Sequence, residues 1–270
     1  MQIALIQTTA TADLEANLTG MRERIREAAR GGAALAVFPE LAYFSGAPAQ
    51  CAQIVPSFDR VLAELASAAK AAGIHVAPGT LREPVPGSPG KCFNTLPVLD
   101  PAGRVVALYR KIFLFEASLP GREYREAEYC VPGDEVRTYA GTPLPLGLSI
   151  CFDLRFPELY RALAARGAQL ILVPSSFTVP TGKAHWETLL RARAIENQAF
   201  VAAPAQTGML GEGRAAYGHS LAISPWGEIL ADLGDGPSMR IVSLDPLLLA
   251  ETRGRVAALE SRRGDLFPPG

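Results

Sequence analysis

Leu146-Gly147-Leu148-Ser149-Ile150-Cys151-Phe152-Asp153-Leu154-Arg155-Phe156-Pro157-Glu158, with the run on to Val173, decides the architecture of this chain. Leu146 to Ile150 is an apolar run of strand length. Pro157 or Glu158 opens a helical segment that ends near Gly167, and Leu170 to Val173 is apolar again. Strand, helix and strand in so short a span make a β-α-β unit. Outward from it the alternation repeats. Ile3 to Ile6 reads as a strand, and Leu14, Leu18, Met21, Ile25 and Ala28 then share one helix face, with Asp13 as N-cap and Gly31-Gly32 as stop. Leu35 to Phe38 is a strand ending at Pro39-Glu40. Val61 to Ala72 is a helix stopped by Gly73, and Ile74 to Pro78 is a strand. Downstream, Trp186 to Asn197 is a helix and Ala199 to Ala203 a strand.

Hairpins break the parallel pattern. Pro84 to Gly90 is a surface loop. Thr95 to Leu99 and Arg104 to Tyr109 then flank the turn Asp100-Pro101-Ala102-Gly103. Phe115 to Pro145 is polar and turn-rich, with Pro120-Gly121 and Pro132-Gly133 and no clear period. The last third is strand-rich: Ser220 to Ser224, the turn Pro225-Trp226-Gly227, Ile229 to Leu233, and Arg240 to Leu244. A short helix and a Pro-rich end, Leu266 to Gly270, follow. With no repeat and no linker, residues 1–270 read as one α/β domain with mixed sheets.

Of the 270 residues, 49% are apolar and 20% charged, and the formal net charge is −1. That is ample for a large core. Without a basic or acidic block, neither nucleic acid nor an anionic membrane is expected as partner, so charge recognition must be local, inside a pocket. The opening Met1 to Gln7 reads as a first strand and not a signal peptide, and no window reaches the roughly 18 continuous apolar residues of a membrane span. Four cysteines without CxxC spacing and three histidines without ligand spacing argue against a disulfide framework or a built-in metal. A cytoplasmic protein is the expectation.

Strand ends project side chains from a rigid frame into a cleft, and three of them carry chemistry. Phe38-Pro39-Glu40 ends one strand in a carboxylate. Tyr109-Arg110-Lys111 ends another in an ammonium. Ser149-Ile150-Cys151-Phe152-Asp153 places a thiol at a strand-to-loop junction like a nucleophile elbow, although G-x-S-x-G is absent. Taken singly, these are usually a solvated acid, a surface lysine and a small buried hydrophobe. Together they are what a cysteine amidohydrolase needs. A thiol with pKa near ~8.5 needs a base beside it. No Cys–His arrangement is readable, which leaves a carboxylate as the base. The oxyanion formed on an attacked amide needs preorganised donors, each worth about 3–4 kcal/mol.

These residues resemble the nitrilase, or carbon–nitrogen hydrolase, superfamily. Phe38-Pro39-Glu40, Tyr109-Arg110-Lys111-Ile112 and the run from Ser149 to Glu158 are similar to its Glu, Lys and Cys motifs. Phe93-Asn94-Thr95, Ala184-His185-Trp186-Glu187, Arg191 to Gln198, Tyr217-Gly218-His219-Ser220 and Pro225-Trp226-Gly227 resemble further family motifs, in order, over nearly the whole chain. The resemblance implies a four-layer α-β-β-α sandwich, a homodimer or higher oligomer, and no cofactor. It assigns Glu40 as general base, Lys111 as oxyanion stabiliser and Cys151 as acyl-forming nucleophile. It adds a second glutamate, Glu126, six residues before Pro132-Gly133, with Glu123 and Glu128 close by. One departure is visible: Phe113 stands where the family often has His.

The implied reaction starts when Glu40 takes the proton from Cys151 and the thiolate attacks a carboxamide carbon. Lys111 and the Phe152 backbone N–H hold the oxyanion, ammonia leaves, and water activated by Glu40 hydrolyses the thioester to an acid. Replacing Cys151, Glu40 or Lys111 is expected to remove turnover without unfolding the protein. The Cys motif and Pro180 to Glu187 look most like the Nit branch, whose amidases act on α-keto acid ω-amides and on deaminated glutathione, with a slight tilt here to the latter. N-carbamoyl hydrolysis or another aliphatic amide is the alternative, and a non-catalytic scaffold relative is the rival class. Both favoured substrates carry carboxylates. Arg155 is the candidate carboxylate contact, or else a brace to Asp153 or Glu158, and Thr181, in the loop before His185, could donate a second hydrogen bond.

Other signals are set aside. Gly211-Glu212-Gly213-Arg214-Ala215-Ala216 fits a loose dinucleotide pattern, but Tyr217 to Ser224 reads as strand where that fingerprint demands a helix. His185 and Trp186 read as packing groups at a helix start, and Trp226 as structural. Cys51, Cys92 and Cys130 read as incidental thiols with no base or cation in their neighbourhoods. No resolving cysteine stands near Cys151 in sequence to make it a redox sensor.

Overall fold

The computed structural model describes residues 1–119, 122–211 and 213–267. The turn expected at Pro120-Gly121, Glu212 of the glycine pattern, and residues 268–270 of the Pro-rich end lie outside the described residues.

The chain begins as β1 (Gln2–Gln7), α1 (Leu14–Arg30), β2 (Leu35–Val37), α2 (Pro48–Ile54), α3 (Phe58–Ala72) and β3 (His75–Ala77). Asp13 caps α1 by accepting from the Ala16 N–H at 2.9 Å, and Gly73 ends α3 in the left-handed conformation that only glycine adopts freely. β4 (Leu81–Pro84), β5 (Cys92–Leu99) and β6 (Val105–Arg110) extend the sheet as antiparallel strands. Next come β7 (Glu116–Leu119), β8 (Arg122–Arg125) and β9 (Thr138–Tyr139). β7 and β8 pair antiparallel within the segment read as aperiodic. Their four-residue strands hold only exposed and half-buried positions, too short and too polar to register as a period.

A second unit runs β10 (Leu146–Leu148), α4 (Pro157–Ala165), β11 (Leu170–Leu172), α5 (Val179–Asn197) and β12 (Phe200–Ala203). α5 begins seven residues before the expected start at Trp186, so His185 and Trp186 sit inside the helix and Thr181 in its first turn, not in a loop. Thr178 is the N-cap and Pro180 lies in the first turn, where proline costs no hydrogen bond. β13 (Thr207–Met209) and β14 (Ala215–Tyr217) form a hairpin, so the single strand expected over Tyr217 to Ser224 is split between β14 and β15 (Leu221–Ile223). β16 (Ile229–Asp232), β17 (Ser238–Ser243) and α6 (Pro246–Arg255) complete the order.

Both large sheets are mixed. One has the order β17-β1-β2-β3-β5-β4 with β6 on β5; the other runs β16-β15-β12-β11-β10-β9. In each, three adjacent strands are parallel: β1, β2 and β3, and β10, β11 and β12. Strand alternation sorts the core. Ala4, Ile6, Ala36 and Phe38 pack under Leu18, Met21 and Ile25 of α1 and Val61 and Leu65 of α3. Ile3, Leu5, Leu35 and Val37 join the core shared with the second sheet, α4 and α5. A Cβ on Gly147 would lie 3.3 Å from Leu163 of α4, so Leu146 and Leu148 point the other way, between the sheets. The result is four layers, α-β-β-α.

Candidate active site

The carboxyl ends of the parallel strands from both sheets converge, as ligand sites in α/β sheets commonly require. Glu40 follows β2, Cys151 follows β10, and Gln206 follows β12. Gln206 Nε2 donates to the Glu40 carbonyl at 3.0 Å, joining two of these ends. Gly79 (φ +77°) makes room for the Glu40 loop, because a Cβ there would sit 1.7 Å from the Pro39 carbonyl oxygen. No other residue type fits.

Lys111 follows β6 beside Asn94 of β5, whose carbonyl accepts its backbone N–H at 2.9 Å. Its Nζ is 3.1 Å from Glu40 Oε1 and 2.8 Å from Glu126 Oε2, and all three side chains are buried. Asn94 Nδ2 spans the same two acids, at 2.9 Å from Glu40 and 3.1 Å from Glu126. Glu126 also accepts the Phe115 N–H at 2.7 Å. Burial works against the Lys111 ammonium, yet the Glu126 and Glu40 carboxylates hold its pKa well above the ordinary value. Burial likewise opposes the charged form of Glu126, and Lys111, Phe115 and Asn94 outweigh it and leave the carboxyl below its usual range.

Cys151 has φ +48° at the junction between β10 and a 3-10 turn, a strained conformation for a side-chain-bearing residue. Three donors onto one buried carboxylate support it. Asp153 accepts from Tyr109 Oη at 2.7 Å, the Phe113 N–H at 2.9 Å and the Ile150 N–H at 2.8 Å. Burial and the Glu40 charge push the Cys151 thiol pKa up, with the Lys111 ammonium and the Ser176 N–H acting against them. Among the hydrogen bonds of the described residues, none uses the Phe152 N–H.

Glu40, Lys111, Glu126 and Cys151 line one cavity of about 440 Å³. A smaller recess of about 20 Å³ adjoins Cys151 between Phe152, Arg155, Phe177 and Thr181. Arg155 makes no ion pair with Asp153 or Glu158; its guanidinium lies over the Phe152 and Phe177 rings and 3.4 Å from His185 Nδ1. Thr181 Oγ1 pairs with Thr178 Oγ1 at 2.8 Å. Phe113 stacks on Phe156 at 3.7 Å, which gives the departure from the family pattern a packing role. Trp226 is half exposed beneath Arg255 rather than packed in the core, although its turn forms as expected.

Sequence reasoning passed over several supports. Tyr109, Asp153 and Gln206 carried no chemical signal of their own, and Asn94 was visible only as part of a strand motif. The reading of Cys92 and Cys130 as isolated thiols is overturned: their sulfurs are 3.5 Å apart, with Arg82 Nη1 at 3.7 and 3.9 Å. These residues are far apart in sequence, so spacing could not reveal the cluster. Among the described residues no group of three or more His, Cys, Asp or Glu is placed to hold a metal ion, and no helix is long and apolar enough to cross a membrane.

The family model for carbon-nitrogen hydrolases matches residues 2–254. This chain belongs to the carbon–nitrogen hydrolase family. A hydrolase of this family acts on carbon–nitrogen bonds other than peptide bonds. The deaminated glutathione amidase of Bos taurus is 38% identical over 98% of the chain and 83% of the relative. Human omega-amidase NIT2 is 35% identical over 98% of the chain and 96% of the relative. Among solved structures, the C. elegans NitFhit protein superposes with a TM-score of 0.92 at 36% identity, covering 98% of the chain; the chain spans 65% of that protein. An amidase from Nesterenkonia sp. AN1, in which acrylamide has added to the active-site cysteine, matches at 0.83 and 32% over 99% of the chain and 98% of its own. The nitrilase-like sandwich expected from the sequence is the fold of this hydrolase.

Proposed function

We propose that Cys151, Glu40, Lys111 and Glu126 hydrolyse a small carboxylate-bearing amide through a thioester, the substrate being deaminated glutathione or an α-keto acid ω-amide. The supporting observation is the buried Lys111 ammonium held between Glu40 and Glu126 in the cavity that Cys151 enters. In the resting state the thiol is protonated, so attack requires its proton to pass to Glu40 as sulfur bonds to the amide carbon. Lys111 and the Phe152 N–H are the donors for the oxyanion, among buried side chains whose fixed dipoles act strongly. Glu126 holds the ammonium in place. After collapse, the amine leaves: ammonia from a primary amide, the substituted amine from deaminated glutathione. Water deprotonated by Glu40 then cleaves the thioester.

Arg155 and Thr181 receive the substrate carboxylate. The guanidinium has no carboxylate of its own among the described residues and lies at the recess next to the nucleophile, which favours ligand recognition over a brace. The chain is proposed to work as a homo-oligomer in the cytoplasm; the half-exposed Ile195, Trp226 and Val256 supply apolar surface for a second copy. The test is acid and amine release from both amides by the purified enzyme beside Cys151→Ala. Loss of release in the variant supports the scheme, and equal release would sink it.

A further inference from the structure

The wall of the large cavity holds a second thiol site that the amide chemistry does not use. Cys92 opens β5 and Cys130 follows the Glu126 turn, and the two pair through an isolated parallel bridge. Adjacent strands lie about 4.7–4.9 Å apart, inside the Cα separation a disulfide accepts. The Cys92 and Cys130 sulfurs already face each other at 3.5 Å. Arg82 is buried, forms no ion pair with a carboxylate among the described residues, and directs Nη1 at both sulfurs, with its guanidinium over the Tyr129 ring. Of the two thiols, Cys92 lines the cavity, so a small oxidant that enters the active site reaches it first.

We infer that Cys92 and Cys130 form a peroxide-reducing dithiol, with Cys92 attacking, Cys130 resolving and Arg82 stabilising the thiolate. The Cys92 sulfur attacks one peroxide oxygen and the O–O bond breaks, giving a sulfenic acid while the departing hydroxide takes a proton and leaves as water. The Cys130 sulfur then attacks the Cys92 sulfur, the S–O bond breaks, and a second water leaves. Two thiols lose two electrons to one hydrogen peroxide, and a low-molecular-weight thiol restores them by exchange. The charges around the thiols favour an order of oxidation consistent with this pairing. The Cys130 thiol against its sulfur and the Arg82 charge, opposed by burial, draw the Cys92 thiol down to about 6, whereas burial and Glu40 keep Cys151 protonated. Thiolate character governs attack on peroxide, so the first equivalent is consumed at Cys92 and the catalytic thiol is spared.

The experiment gives the full chain one equivalent of hydrogen peroxide with dimedone present, blocks the remaining thiols, and maps tryptic fragments. The expected product is Cys92–Arg104 joined to Glu126–Arg137, cleaved by dithiothreitol, with Cys151 still alkylated. In Cys130→Ser a dimedone adduct on Cys92 replaces the cross-link, and in Arg82→Met the cross-link forms about tenfold more slowly. A dimedone adduct on Cys151 with Cys92 and Cys130 both alkylated overturns the inference. An unchanged rate in Arg82→Met removes Arg82 from it.

Discussion

Tyr109 donates a 2.7 Å hydrogen bond to Asp153, and this one contact ties the strand that presents Lys111 to the turn that presents Cys151. Tyr109 lies two residues before the ammonium, on β6, and Asp153 two residues after the thiol, in the 3-10 turn that follows β10. Both are buried, so this bond, with that of the Phe113 N–H to the same carboxylate, holds Lys111 in place relative to Cys151.

Tyr109→Phe removes that bond and leaves Asp153 one donor short. The expected cost is about 1–3 kcal/mol of stability, with kcat reduced and KM little changed, because orientation is lost more than binding. Urea denaturation beside steady-state kinetics checks both. An unchanged kcat would show that the two sheets hold the site without this tie.

Cys151→Ala and Glu40→Gln are each expected to lower turnover by at least ~10²-fold while leaving the thermal midpoint within a few degrees. Lys111→Ala differs from the sequence expectation that it, too, leaves folding intact. Removing its ammonium strands Glu40 and Glu126 as buried acids, at a cost of about 3–5 kcal/mol. Thermal melts of the three variants distinguish these outcomes.

The same cluster gives stability a pH dependence. The folded-state pKa of Glu126 lies below its unfolded value, so its contribution is present above the ordinary carboxylate pKa of 4.5 and is lost as pH falls through the depressed folded value. The Glu126→Gln variant lacks this contribution. Its deficit in melting temperature relative to the native chain is expected to be full near neutrality and to shrink below pH 4.5. A deficit independent of pH would mean that Glu126 contributes through packing alone.

Arg155→Met is expected to raise KM for an α-keto acid amide by about 10- to 100-fold, corresponding to about 1.5–3 kcal/mol for a hydrogen bond to a charged group. A neutral aliphatic amide should be unaffected. Equal losses on both substrates would return Arg155 to a structural role.

Gly79→Ala places a methyl against the Pro39 carbonyl at a positive φ. The expected loss exceeds about 2 kcal/mol, together with reduced turnover because Glu40 follows Pro39 directly. A native-like melt would show that this loop yields.

Most elements were legible because their signals are local. Asp13, Gly31 and Gly73 mark helix ends through bonds within a few residues, and apolar runs such as Leu170 to Leu172 are strands because both of their faces are buried. The β7–β8 hairpin was missed because it is short and solvated, with neither face sorted. The first turns of α5 were missed because Pro180 and Gly182 disguise a helix start. A Cβ on Gly182 would meet the Tyr217 ring at 2.2 Å, so that glycine answers to packing and not to helix propensity.

The sequence by itself determined the strand ends that carry Glu40, Lys111 and Cys151, because each is a short polar interruption after an apolar run. Only the tertiary structure decided which charge faces which. Asn94 between two acids, Asp153 under Tyr109, and Cys92 against Cys130 and Arg82 all join segments from distant parts of the chain. Burial makes those pairings strong, and burial is a property of the packed sheets, not of any one segment.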